Sequence, residues 1–293
     1  MSYIKDFMQK YDFPTDAITF LEESYHTLQK HKGAFEVFSE CVALYENDVP
    51  FDFNLISQKI VNLSEVTKIS GSTLEMLYMI SLTPHLRELY ARENIPDDIY
   101  DDSVCDLKWK IKECKDRHGI WGLRVSWWSI GFFRLERFAI GRLQFNIGEF
   151  RNDYLLDGRK FKKGDKYVDV HIPSSGPLDY DQCQLSYKRA AEFFSKRYNL
   201  DKIIFGCNSW LLAPENEQIL PETSNILKFM RDYTILETVP ETTQVVVWRF
   251  FYLDEVPDDF STLPDDTSLK RAFIKWLESG NSYSNGFGII IFD

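Results

Sequence analysis

The chain has 293 residues, 44% hydrophobic and 27% charged, which is enough apolar material for one large or two ordinary globular domains and excludes a disordered chain. A net charge of -11, with the longest basic cluster, Arg159-Lys160-Phe161-Lys162-Lys163, confined to a turn, excludes the footprint of a nucleic-acid binder. The five cysteines and five histidines fit no zinc spacing, no uncharged run approaches a membrane span, and the start lacks a basic-then-apolar leader, so we expect a cytoplasmic protein with no metal and no membrane attachment.

Residues 1 to about 118 read as a bundle of five or six helices. Tyr100, Val104, Leu107, Ile111 and Cys114 recur every three or four residues, which makes one helical face. Leu74, Leu77 and Tyr78 form another apolar stripe. Thr83-Pro84 reads as an N-cap followed by proline at the first helical position, so one helix should end there and another begin. Pro14, Pro50 and Pro96 punctuate the rest. Near Gly119 the pattern changes: Trp121, Trp127, Trp128, Phe132, Phe133 and Phe138 crowd a short span, most simply a seam between two domains. We place the boundary at 119/120, giving domains 1-119 and 120-293.

Strands follow. Phe138 to Ile147 is the first candidate, with Gly141 as a bulge. Lys163-Gly164-Asp165 marks a turn. Tyr167 to Ile172 alternates, with Val168, Val170 and Ile172 on one face and Tyr167, Asp169 and His171 on the other. The turn Pro173-Ser174-Ser175-Gly176-Pro177 leads into a helix whose buried side carries Cys183, Tyr187, Phe194 and Tyr198, with Asp179 and Gln182 spaced as a capping box. Ile203 to Cys207 is an apolar strand. A helix interrupted at Pro221 is expected over Glu215 to Met230, a strand over Val245 to Phe251, a helix from Thr267 or Ser268 to Leu277, and a last strand over Ile289 to Phe292.

The strand, small-residue turn and helix start at 167–182 form an arrangement that offers backbone N–H groups to an anion. The same residues also read as a plain strand-to-helix connection. Arg142 and Gln144 share one strand face and either line a cavity or lie solvated on an open face.

Several segments together resemble a known family: Ile140-Gly141-Arg142-Leu143-Gln144-Phe145, Val170 through Leu178, Cys207-Asn208-Ser209-Trp210-Leu211-Leu212, Ser224 through Phe229, and Asp266 through Ala272. The chain resembles bacterial acyltransferase-domain proteins that join a helical N-terminal domain to a GNAT-like C-terminal domain. The resemblance implies an α+β fold, a helical bundle followed by a mixed, mostly antiparallel sheet flanked by helices. It also implies that two neighbouring central strands splay apart and that the pantetheine arm of an acyl-CoA pairs with one exposed edge. Mapped onto this chain, Val170 and Ile172 belong to the pantetheine strand, Ser174, Ser175 and Gly176 to the phosphate turn, and Asn208 and Ser209 to the mouth of the partner strand. The turn departs from the usual signature: it has one glycine, Pro177 lacks an amide donor, and Asp179 and Asp181 place carboxylates at the helix start.

His171 is the candidate general base and Asp169, two residues earlier on the same face, its orienting partner; the alternative is a histidine hydrogen-bonded within a sheet. Arg142 and Gln144 are the candidate acceptor-pocket residues. The expected reaction is direct transfer from acetyl-CoA or another acyl-CoA to a small-molecule or peptide amine. The alternative is a non-catalytic module that keeps the scaffold for a nucleotide, peptide or other ligand. A hydrolase using Cys207 or Ser209 ranks last, because no glycine-flanked nucleophile elbow is present.

Overall fold

The computed structural model describes residues 3–292. The chain folds as two units. The first runs to Ile140 and takes in Pro173–Ser175; the second comprises Gly141–Ile172 and the chain from Gly176 onward.

The first unit holds α1 (Tyr3–Lys10), α2 (Thr15–Lys30), α3 (Lys32–Glu46), α4 (Phe53–Asn62), α5 (Ser64–Thr67), α6 (Gly71–Arg92), α7 (Asp97–His118), α8 (Ser126–Phe133) and the strand β1 (Arg137–Ile140). Helix α6 is its centre. Leu74, Met76, Leu77, Tyr78, Met79, Ile80, Leu82 and Leu86 are all buried, so the helix is apolar around most of its circumference. Helix α7 buries the foreseen stripe, Tyr100, Val104, Leu107, Ile111 and Cys114; Pro96 precedes it and Gly119, with φ at 70°, ends it.

The break expected at Thr83-Pro84 is absent, because α6 runs through it. Proline removes the N–H that would bond the carbonyl one turn back. Here that carbonyl belongs to Ile80, and the Thr83 hydroxyl donates to it at 2.7 Å. The aromatic span packs inside this unit: Phe133 against Tyr45, Phe138 against Tyr90, and the Arg137 guanidinium over the Trp128 ring at 3.4 Å.

The second unit contains β2 (Leu143–Glu149), β3 (Tyr154–Leu156), β4 (Arg159–Phe161), β5 (Lys166–His171), α9 (Tyr180–Tyr198), β6 (Ile203–Ser209), α10 (Asn216–Ile219), α11 (Asn225–Arg231), β7 (Thr234–Glu241), α12 (Thr243–Phe251), α13 (Ser268–Glu278) and β8 (Tyr283–Phe292). The main sheet here runs β2-β5-β6-β8-β7, and β3 and β4 form a separate hairpin. Only β5–β6 is parallel; the other pairs are antiparallel. The fold is thus the expected helical domain followed by a mixed, mostly antiparallel sheet.

Helix α9 covers one face of the sheet. Its Tyr187 and Phe194 meet Phe145 and Phe205 within 6.4 Å, and Val168 and Val170 are buried. Asp179 caps it as foreseen, accepting from the Gln182 N–H at 2.9 Å.

Three further sequence expectations are corrected. Phe138 to Ile147 is two strands, because Gly141 takes φ of 66° and turns the chain. Val245 to Phe251 lies in α12, not a strand. The β-branched run favours extended chain locally, but Val246, Val247, Phe250 and Phe251 form one buried helical face, and the Thr242 hydroxyl caps the helix by accepting from the Val245 N–H. The last strand begins at Tyr283, six residues before the apolar run that announced it.

Candidate functional site

The parallel ladder between β5 and β6 is short. It pairs Val168 with Phe205 and Asp169 with Gly206, and nothing beyond. On its other side β5 stays paired with β2 out to His171, which faces Gln144. Past Asp169 and Gly206 the two parallel strands therefore diverge, and Val170, His171, Cys207, Asn208 and Ser209 flank the opening.

Alternation along β5 assigns its side chains to two sides. Val168 and Val170 are buried in the core. Tyr167, Asp169 and His171 project from the opposite face, into a cavity of about 310 Å³. Asn208, Asn285, Phe287, Glu237, Val239, Arg151, Asn152 and Tyr154 complete its wall. Ring packing fixes the floor. Tyr167 lies against Phe150, with centroids 4.9 Å apart, and Phe287, at 5.7 Å. Burial, reinforced by Asp169, raises the Tyr167 pKa, so its hydroxyl stays protonated at neutral pH.

His171 is held by two acceptors at one nitrogen. Nε2 lies 2.7 Å from Asn146 Oδ1 and 3.3 Å from Asp169 Oδ2. Asn146 donates from its amide nitrogen to the Ile147 carbonyl, which fixes the orientation of its oxygen. Two acceptors at Nε2 place the proton of the neutral ring on that nitrogen.

The other candidates are dispersed. Arg142 donates to the carbonyls of Pro177 and Gly176, both at 2.9 Å, so it braces the turn and does not line the cavity. Gln144 stands opposite His171 in the ladder, so it shares that face, but it is buried and outside the cavity lining. Ser174 belongs to the first unit and donates to Glu113 at 3.2 Å. Gly176 has φ of 105° with open space where a side chain would be. Ser209 caps the short turn Trp210–Leu212, accepting from the Leu211 N–H. Asn208 accepts from the Asn285 amide at the cavity wall. Cys207 is fully buried, and desolvation raises its thiol far above the ordinary value; that environment suits packing, not nucleophilic attack.

Sequence reasoning missed Asn146 and Glu237. The alternation that grouped Arg142 with Gln144 reaches Asn146 one step later, so that signal was present. Glu237 was not foreseen because β7 itself was not.

Residues 137–290 match the model of the GNAT-like C-terminal domain, and residues 2–135 match that of the N-acyltransferase N-terminal domain. The chain belongs to this N-acyltransferase family. Its fold is similar to that of an acyltransferase solved in complex with decanoyl-CoA, with a TM-score of 0.72 and 19% identity over 98% of this chain and 87% of that one. It is likewise similar to an acyltransferase with decanoyl-CoA and teicoplanin (TM-score 0.70, 19% identity) and to a mutant acyltransferase with octanoyl-CoA (0.71, 18%), each over 98% of this chain and 87% of the other. No curated protein matches in sequence. Among the described residues no cluster of His, Cys, Asp or Glu could hold a metal ion, and no helix is long and apolar enough to cross a membrane.

Proposed function

We propose that this chain is an acyl-CoA-dependent N-acyltransferase that moves an acyl group directly to an amine. The observation that carries the reading is the two-pair ladder between β5 and β6, which leaves the strand edge beside Val170 without a strand partner just where His171 enters the cavity. A pantetheine arm is thin and amide-bearing, and it can take the place of a missing strand along Val170 to Ile172. The donor phosphates would lie at the Ser174–Gly176 turn before α9, where backbone N–H groups and the helix start favour anions.

The acceptor amine would occupy the cavity on the other side of the opening. Its nitrogen attacks the thioester carbonyl, a C–N bond forms, and the C–S bond breaks. His171 takes the proton from the attacking nitrogen, directly or through one water, and the leaving thiolate regains a proton from solvent. Asp169 stabilises the imidazolium from the same face. Cytoplasmic residence and a peptide or small-molecule acceptor remain part of this proposal. Relatives of this fold were solved with decanoyl-CoA and octanoyl-CoA, so medium-chain donors belong in the test beside acetyl-CoA.

The test is a melting experiment with acetyl-, octanoyl- and decanoyl-CoA at saturation. Binding to the folded state raises the melting temperature by mass action. A rise with at least one donor, followed by amine-dependent release of free thiol, is the expected result. No rise with any donor would sink the proposal, and a rise without turnover on any amine would leave only a binding module.

A further inference from the structure

The β7–β8 ladder contains a bulge. Ile235 pairs with Gly288, yet Glu237, not Leu236, pairs with Phe287. In an unbroken ladder Leu236 would stand opposite Phe287, and Glu237 would face the other side of the sheet. The extra residue reverses that assignment and brings Glu237 and Val239 to the face of Phe287 and Asn285, where all four line the cavity.

Glu237 is also prepared for a ligand. Tyr154 donates its hydroxyl to Oε2 at 2.8 Å, and the Asn152 amide reaches the same oxygen at 3.3 Å. Both donors use one oxygen, and among the described residues no donor reaches Oε1. The carboxylate is thus tethered through Oε2 in the cavity wall, and Oε1 keeps its acceptor capacity. At the half-buried floor of the same cavity stand Asp169 and His171. Two carboxylates at two depths face one guanidinium, Arg151 at the rim, so with the His171 ring neutral the lining carries more negative than positive charge.

We propose that Glu237 is a specificity-determining residue that binds a second cationic group on the acceptor, so that diamine-like acceptors are preferred over simple monoamines. The proposal rests on the acyltransferase reading. One nitrogen, entering as the free amine, is acylated and gives its one surplus proton to His171, while the other stays charged and pairs with Oε1 of Glu237 in a charge-assisted hydrogen bond. Arg151 would favour the opposite choice, an acceptor bearing an anion, so the experiment includes one.

The probes are putrescine, butylamine and γ-aminobutyrate, with octanoyl-CoA as donor and free thiol release as the readout. Wild type should use putrescine with a kcat/KM about three- to fivefold above butylamine, the size expected for one solvent-accessible charge contact. In Glu237→Gln, which can still accept from Tyr154 and Asn152, that preference should largely disappear. Equal use of putrescine and butylamine, a preference for γ-aminobutyrate, or an unchanged ratio in Glu237→Gln would each overturn the assignment. Putrescine binding is measured in parallel, without donor, by its effect on the melting temperature of wild type and Glu237→Gln. That arm decides the role of Glu237 even if no acyl-CoA binds, an outcome that would instead overturn the acyltransferase reading.

Discussion

Nε2 of His171 stands 2.7 Å from Oδ1 of Asn146, a residue on the neighbouring strand that sits opposite Asp169. The contact, with Asp169 on the same nitrogen, fixes how the His171 ring stands in the cavity wall. His171→Ala should lower kcat by about a hundredfold or more while the melting shift with acyl-CoA is kept. A His171→Ala enzyme with full turnover would remove the residue from the mechanism.

The Tyr167 ring occupies space that glycine leaves open on both neighbouring strands. A Cβ at Gly206 would lie 2.5 Å from the ring, and one at Gly148 would lie 2.8 Å from it. Phe150 and Phe287 press on the same ring, so it has little room to yield. Gly206→Ala should cost about 1–3 kcal/mol by urea unfolding, the range for overpacking a filled core. Gly206→Ala combined with Tyr167→Ala removes the clash at the expense of a cavity, so the two losses should be less than additive. Strict additivity would show that the ring moves aside freely.

Much of this architecture was legible because local and tertiary signals agree. The α7 stripe from Tyr100 to Cys114, its Gly119 stop, the alternation around Val168 and Val170, and the Asp179 cap each follow from one residue pattern and one periodicity. The errors arise where a distant or cross-strand partner decides. Val245 to Phe251 has strand-forming residues but is recruited as a helix by burial against Phe273 and Leu277. The site divides in the same way. His171 and Asp169 could be read from strand alternation. Glu237 could not, since one inserted residue in β7 reverses its face, and Arg142 is diverted to the turn by carbonyls 34 and 35 residues away in sequence.

Thr83 keeps α6 continuous past Pro84, and its removal should be felt. The hydroxyl donates to the Ile80 carbonyl at 2.7 Å and lies 2.6 Å from the Tyr3 hydroxyl, while its carbonyl accepts from the Tyr100 hydroxyl at 2.9 Å. Thr83→Val preserves the shape and leaves a buried carbonyl without its donor. A loss of about 1–3 kcal/mol in denaturant unfolding is expected. Changing Pro84 to Ala in the Thr83→Val background should recover part of it, because alanine restores the backbone N–H to the same carbonyl. No recovery would mean that the Tyr3 contact, not the proline, sets the cost.

The cysteines near the opening should be chemically quiet. Burial pushes the Cys183 thiol up to about 11, with Arg142 opposing in part, and Cys207 is raised further by full burial. At pH 8 the Cys183 thiolate is then on the order of one part in a thousand. Iodoacetamide should leave both unmodified in the folded protein, as read by intact mass, and should not reduce turnover. Rapid alkylation of Cys207 with loss of activity would revive a covalent mechanism.

If the donor phosphates lie at the Ser174 turn as proposed, Glu113 should link stability to donor affinity. Burial alone would raise its pKa, but Lys110 and Arg117, at 3.1 and 3.2 Å, together with the Ser174 hydroxyl, hold it below the ordinary carboxylate value. A depressed carboxylate contributes stability that is complete above its unfolded pKa and is lost as pH falls through the folded one. Glu113→Gln should cost no more than about 1 kcal/mol at neutral pH, and its stability should vary less than that of wild type in acid. The same change removes a negative charge that touches Ser174, in the turn proposed for the donor phosphates, and releases Lys110 and Arg117 from that carboxylate. Acyl-CoA should then bind about fivefold tighter at low salt, with the gain shrinking as salt is added. An unchanged dissociation constant across the salt series would place the phosphates away from this turn, even if the β5 edge still holds the pantetheine arm.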